Sequence, residues 1–147
     1  MLKILLGVLC LIASSAFAAD GLVTLKSPHS VAVTLDRFEA AAKSRGLVIF
    51  LRVDHAAGAK KVGKELRPTE LLIFGNPQGG TPLMECAQSA GIDLPLKALA
   101  WQDAAGQVWL GYNDPQYLVN RHEGKDCAPV AANLSKASAG LAQEAVK

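Results

Sequence analysis

No second long hydrophobic run follows the one at the start of this chain: the apolar stretch Leu47 to Leu51 ends at Arg52, far short of the roughly 20 residues a membrane-spanning helix needs. An excess of one charge is missing too. The 147 residues carry 15 Lys and Arg against 13 Asp and Glu, and that balance argues against nucleic acid as a partner, which calls for a clustered basic excess. The local run Lys60, Lys61, Lys64, Arg67 is partly countered by Glu65 and reads as a solvated face, with an anion site as the alternative. Cys-x-x-Cys, His-Glu-x-x-His, Gly-x-Ser-x-Gly and the phosphate-loop pattern are all absent. Each absence lowers the standing of an ordinary hydrolase or redox enzyme.

What is present begins with an export signal over residues 1–18. Lys3 supplies a positive start, Ile4 to Ile12 is a nine-residue apolar run broken only by Gly7, and Ala16-Phe17-Ala18 is a small-x-small cleavage pattern. Cys10 follows Leu9 rather than a small residue and lies inside the apolar run, which argues against a lipid anchor. Cleavage after Ala18 leaves 129 residues, 14 basic and 13 acidic side chains, and two cysteines. That length suits one domain with a real core. The protein is expected to be exported, to the periplasm, without stable membrane insertion, where disulfides persist.

Along the remaining chain, apolar periodicity and turn residues divide the sequence into alternating strands and helices. Val23 to Leu25 reads as a strand. Ser30 caps a helix carrying Leu35, Phe38 and Ala42 on one face, and Gly46 stops it. Leu47 to Val53 is rich enough in apolar residues to suggest a strand buried on both faces. Asp54 caps a short helix over Ala56 to Val62, and Glu70 to Phe74 is the next strand. Gly79-Gly80-Thr81-Pro82 opens a helix with Thr81 as cap and Pro82 in its first position, ended by Gly91. Leu96 to Gln102 and Val108 to Tyr112 form a hairpin across Asp103 to Gly106, with Trp101 and Trp109 facing one another. Asp114-Pro115 starts a helix running to about His122 and stopped by Gly124. These elements place a single domain over residues 19–124. Residues 125–147 form an alanine-rich tail whose Val130, Leu134, Ala137, Leu141 and Ala145 keep helical spacing, loosely docked or frayed. The class is α+β: helices on one face of a mainly antiparallel sheet.

Several strings, in order and at matching spacing, resemble the bacterial domain of unknown function 302. They are Arg52-Val53-Asp54-His55-Ala56, Leu66-Arg67-Pro68-Thr69, Phe74-Gly75-Asn76-Pro77, Gly80-Thr81-Pro82-Leu83-Met84, Asp93-Leu94-Pro95-Leu96-Lys97, and Tyr112-Asn113-Asp114-Pro115 followed by Arg121-His122. The resemblance covers about Val23 to Gly124. It implies a small α+β fold likened to one repeat of the TATA-binding protein and a tendency to homodimerise, and it brings with it no established enzyme activity. Fold likeness carries no inference of DNA binding.

Candidate functional residues are few. His55 follows a strand beside Asp54, where a histidine serves as metal ligand or proton carrier, or bonds the neighbouring loop. His122 ends a helix, where a cation meets the dipole favourably. Met84 has ordinary core neighbours. If His55 and His122 met Met84 or Cys86, imidazole and sulfur together would suit copper or haem iron; nothing in the spacing brings them together. Gly80 and Thr81, with Gly79, offer backbone NH groups before a helix, an anion site or simply a turn and cap. Cys86 and Cys127 are a candidate disulfide that would tether the tail across a loop of about 40 residues; spacing leaves the pairing open. The expected function is a non-enzymatic module that binds a small ligand or a partner as a homodimer, with its pocket near His55 and Gly80 to Met84. The rival is a metal- or thiol-dependent redox accessory or enzyme using His55, Cys86 or His122. Neither cofactor nor metal can be named from the sequence.

Overall fold

A computed structural model describes residues 20–147; the export signal and Cys10 lie outside the described residues. The chain runs β1 (Leu22–Ser27), α1 (Val31–Ser44), β2 (Val48–Asp54), α2 (His55–Lys61), β3 (Thr69–Gly75), α3 (Pro77–Cys86), a short 3-10 helix (Gln88–Ile92), β4 (Leu96–Gln102), β5 (Val108–Asn113), α4 (Pro115–Arg121) and α5 (Ala128–Ala145). The five strands form one sheet in the order β1-β5-β4-β3-β2, and every pairing is antiparallel. The α+β class expected from the sequence is the one observed.

Strand alternation sorts the side chains onto two faces. Leu72, Phe74, Ala98, Ala100 and Leu110 point to the helices and pack with Leu35 and Phe38 of α1 and Leu141 and Ala142 of α5. Phe38 and Phe74 meet edge to face at 4.9 Å between ring centres, a favoured aromatic geometry. The opposite face carries Leu71, Ile73, Leu99, Trp101 and Trp109, all only partly buried. Trp101 and Trp109 are direct cross-strand partners, as expected. Gly111 makes room for them: a Cβ there would stand 2.9 Å from the Trp101 ring. The hairpin below is closed by Asp103, whose carboxylate accepts from the Trp109 indole NH at 2.8 Å and from the backbone NH of Ala105 and Gln107. The indole bond, despite some desolvation, and then the backbone bonds hold that carboxyl below its ordinary value.

Three expectations need correction. The segment read as a doubly buried strand is instead the sheet's edge, β2, with Phe50 and Leu51 each 54% exposed. Its pairing to β3 shifts register between Ile49 and Leu51, a bulge that puts an extra residue into an edge strand and blunts it. The helix expected to start at Thr81 starts a turn earlier, at Pro77, with Asn76 as cap: the Asn76 carboxamide oxygen accepts from Gly79 NH at 2.8 Å. Two X-Pro pairs compete for the role, and Asn76-Pro77 wins, leaving Pro82 inside the helix. The helix ends at Cys86, not Gly91, which belongs to the 3-10 helix.

The third correction concerns the tail. The helix over residues 128–145 is not loosely docked: α5 buries Ala131, Ser138, Leu141, Ala142 and Ala145. Its C-terminal carbonyls are bound by α1, where the Arg37 guanidinium donates to Ala145 O at 3.1 Å and Glu144 O at 3.2 Å, and Arg45 pairs with the Glu144 carboxylate at 2.8 Å. Basic side chains at a helix C-terminus satisfy free carbonyls and the dipole together. A chain ending at Gly124 is therefore expected to lose cooperative folding, and Leu141→Ala in the full chain to lose about 2–5 kcal/mol. Urea denaturation followed by far-ultraviolet circular dichroism measures both; a cooperative transition in the truncated chain would contradict the packing role of α5.

Candidate functional site

The sheet's helical face is covered by α1 and α5, but at the β2–β3 end the cover is incomplete. A cavity of about 350 Å³ opens there. Its floor is Phe74 and Leu96, with Leu47 and Phe50 from the edge. The bulge in β2 is what delivers Phe50. One wall is α3, through Gly79, Gly80, Thr81 and Met84; the facing wall is α5, through Leu134, Ala137, Ser138 and Leu141. The Leu94-Pro95 connection into β4 closes the end. Most of these side chains are aliphatic or aromatic, with Asn76, Thr81 and Ser138 as the polar exceptions. Asn76 already spends its oxygen on the α3 cap. Small residues on both walls keep the space open: a Cβ at Gly79 would stand 3.2 Å from the Leu134 side chain.

Of the residues singled out from sequence, Gly80, Thr81 and Met84 line this cavity. The two histidines do not. His55 is the exposed first residue of α2, while Asp54 caps that helix by accepting from Ala57 NH at 2.8 Å. Since α3 begins at Pro77, the Gly79 and Gly80 NH groups are already bonded to Asn76, which removes the donors an anion site would have used. Among the described residues no group of three or more His, Cys, Asp or Glu side chains stands together as metal ligands would.

His122 belongs to a different cluster. Its Nε2 lies 2.6 Å from Asp93 Oδ2 and its Nδ1 2.9 Å from Ser89 Oγ. The histidine side chain is only 8% exposed and that of Asp93 15%, and Arg121 adds an ion pair to Asp93 at 3.2 Å. The 3-10 helix and the turn after it are thereby fastened to the end of α4. The order of groups is that of a serine-histidine-aspartate relay, but Ser89 is exposed and none of the three lines the cavity, so we read the cluster as a clip. Sequence spacing gave no sign of it, because Asp93 and His122 are 29 positions apart.

Two charged residues of the family-like strings, Arg52 and Asp114, are fasteners as well. Arg52 bridges Glu70 of β3 and Asp36 of α1 and donates to Ala32 O. Partial burial disfavours its charge, but the hydrogen bonds and charges of Asp36 and Glu70 outweigh that and raise its pKa above the ordinary value. Asp114 caps α4 through Gln116 NH and accepts from Ser135 Oγ of α5 at 2.6 Å.

This is a small single-sheet α+β domain with an apolar concavity between α3 and α5. The chain belongs to the family described as domain of unknown function DUF302, whose profile matches residues 23–141, and the match takes in much of α5. A crystal structure of an uncharacterized conserved DUF302 protein from Bacillus stearothermophilus superimposes with a TM-score of 0.78 at 21% identity, covering 86% of this chain and 99% of that one; the likeness is one of fold. Among curated proteins, the chain is 59% identical over 103 residues to the fluoride-specific ion channel FluC 1 of Brucella suis, covering 70% of this chain and 41% of the relative. It matches FluC 1 of Brucella abortus at the same identity, covering 38% of it. The chain thus spans about two-fifths of the length of these relatives. Among the described residues no helix is long and apolar enough to cross a membrane.

Removing the clip tests its role. Asp93→Ala leaves His122 and Arg121 without their acceptor and is expected to destabilise the fold by about 1–3 kcal/mol, with faster amide exchange in residues 88–92. Unchanged stability and exchange would show that the cluster fastens nothing.

Proposed function

We propose that this protein is a non-enzymatic module that holds a small, predominantly apolar ligand in the cavity between α3 and α5 and acts as a homodimer. The cavity carries the reading. Its volume lies at the lower end of the range for small-molecule sites, and such sites combine apolar walls with a few polar groups that orient the ligand. Burial of an apolar ligand here would be worth about 25 cal/mol for each Å² removed from water. The ligand class that fits is a short acyl chain or small ring with one polar end, directed toward Thr81 or Ser138. Catalysis has no comparable support: the cavity holds no carboxylate, imidazole or thiol.

The name fluoride channel applies to the whole relatives. The segment this chain shares with them contains no described spanning helix, so we read it as an accessory part rather than the pore. The export signal, if cleaved, would place the free domain in the periplasm. The redox-accessory reading through His55 is not favoured, since that side chain stands apart from the cavity.

Two measurements test the proposal. Phenylnaphthylamine, an uncharged fluorophore that brightens in apolar surroundings, is expected to bind the folded protein. Ala137→Trp, which places an indole in the cavity mouth, should weaken it by tenfold or more without loss of fold; equal binding by the variant would sink the cavity reading.

The homodimer is supported by the uncovered sheet face. Leu51, Leu71, Ile73, Leu99, Trp101 and Trp109 lie together on the sheet face opposite α1 and α5, and large exposed apolar patches mark interfaces. Sedimentation equilibrium is expected to show a dimer that Leu71→Lys converts to monomer. A monomeric wild type at tens of micromolar would exclude this part.

A further inference from the structure

Cys86 is the last residue of α3 and is exposed; Cys127 is the cap residue of α5 and is fully buried. Cys86 is the neighbour that most perturbs the Cys127 thiol. Cys127 packs in a second core cluster with Leu83, Ala87, Ala90, Val119 and Ala131, so the backbone on both sides of Cys86 is already held against it. Gly124 keeps the junction open, since a Cβ there would come within 2.8 Å of Cys127 Sγ and 3.4 Å of Ala87. Nothing in the cavity or in the clip around His122 uses either sulfur.

We propose that Cys86 and Cys127 close into a disulfide that staples the start of α5 to the end of α3. The oxidant is a disulfide-bearing thiol carrier of the class found in oxidising compartments. Exposed Cys86, as thiolate, attacks one donor sulfur; the donor S–S bond breaks, one donor thiolate leaves, and Cys86 is held in a mixed disulfide. Cys127 then loses its proton to solvent and attacks Cys86 Sγ, forming the internal bond and expelling the second donor thiolate. Two electrons and two protons pass to the donor, which ends as two thiols.

The order of steps follows from the surroundings. Its interaction with Cys86, then burial and the neighbouring charge of Asp126, push the Cys127 thiol up to about 11, and Cys86 is the exposed sulfur that an incoming oxidant meets first. The staple ties together the two helices that form the cavity's facing walls. It also bridges a loop of about 40 residues, the length at which restricting the unfolded chain is expected to stabilise appreciably.

The test uses the whole secreted chain, equilibrated in reduced and in oxidised glutathione, then denatured and alkylated. After oxidation no alkylatable thiol should remain, and peptide mapping should recover Cys86 joined to Cys127 within one chain. The oxidised form should melt several degrees above the reduced form, and Cys86→Ser, at an exposed position that the fold tolerates, should erase the difference. Two persistent thiols after oxidation, a bond between two chains, or equal melting of both redox forms would each overturn the staple. Ligand binding does not enter these readouts, so the staple can fail while the cavity stands, and the reverse.

Discussion

One face of a five-stranded antiparallel sheet needs more cover than a single fourteen-residue helix gives, and α5 supplies the remainder. Its contact with α1 and the sheet is the interaction on which the rest of the molecule depends. Ala142 and Ala145 are fully buried in it, and small side chains are what allow a helix to lie close against two neighbours at interior packing density. The same helix binds α1 through Arg37 and Arg45 and α4 through the Asp114–Ser135 hydrogen bond. Where α5 diverges from α3, glycines 79 and 80 on one side and Ala137 and Ser138 on the other leave the space that becomes the cavity.

That arrangement explains why the motifs by which the chain is placed in its family say little about chemistry. Arg52, Asp54, Asn76 and Asp114 each cap a helix or clamp a strand to one. Loss of a cap costs about 1 kcal/mol, and a domain of this size is only about 5–15 kcal/mol stable. Residues with that leverage are constrained by the fold alone. The cavity draws on the same strings for residues of another kind, Phe74, Pro77, Gly80, Met84, Leu94 and Leu96 among them, whose local patterns are those of any core.

The parts of the fold legible in the sequence were those set by local chemistry. Ser30, Asp54 and Asp114 cap their helices as read, with side-chain oxygens accepting from Val33, Ala57 and Gln116, and the β4–β5 hairpin pairs Trp101 with Trp109. The misreadings came where tertiary position outweighed local pattern. Leu47 to Val53 has the composition of a central strand, yet sits at an edge, because edge position depends on chain topology and the bulge depends on the partner strand. Thr81-Pro82 and Asn76-Pro77 are equivalent start signals in isolation; the Asn76 bond to Gly79 decides between them. Alanine-rich segments read as weak helices because they lack large apolar residues, although close packing favours that smallness.

The candidate site follows the same division. Gly80, Thr81 and Met84 were visible as one stretch of α3 and do lie together in the cavity, Gly80 and Met84 sharing a helix face at i and i+4. Phe50, Leu134 and Leu141 come from an edge strand and the last helix, and no spacing rule joins positions 84 residues apart. The exposed Phe50 is the informative member. Its side chain is left 54% open on the edge strand and forms the lip of the apolar concavity beside it. An occupant of that cavity would remove part of the ring from solvent and add contacts to α3 and α5 at once, coupling the edge strand to both helices.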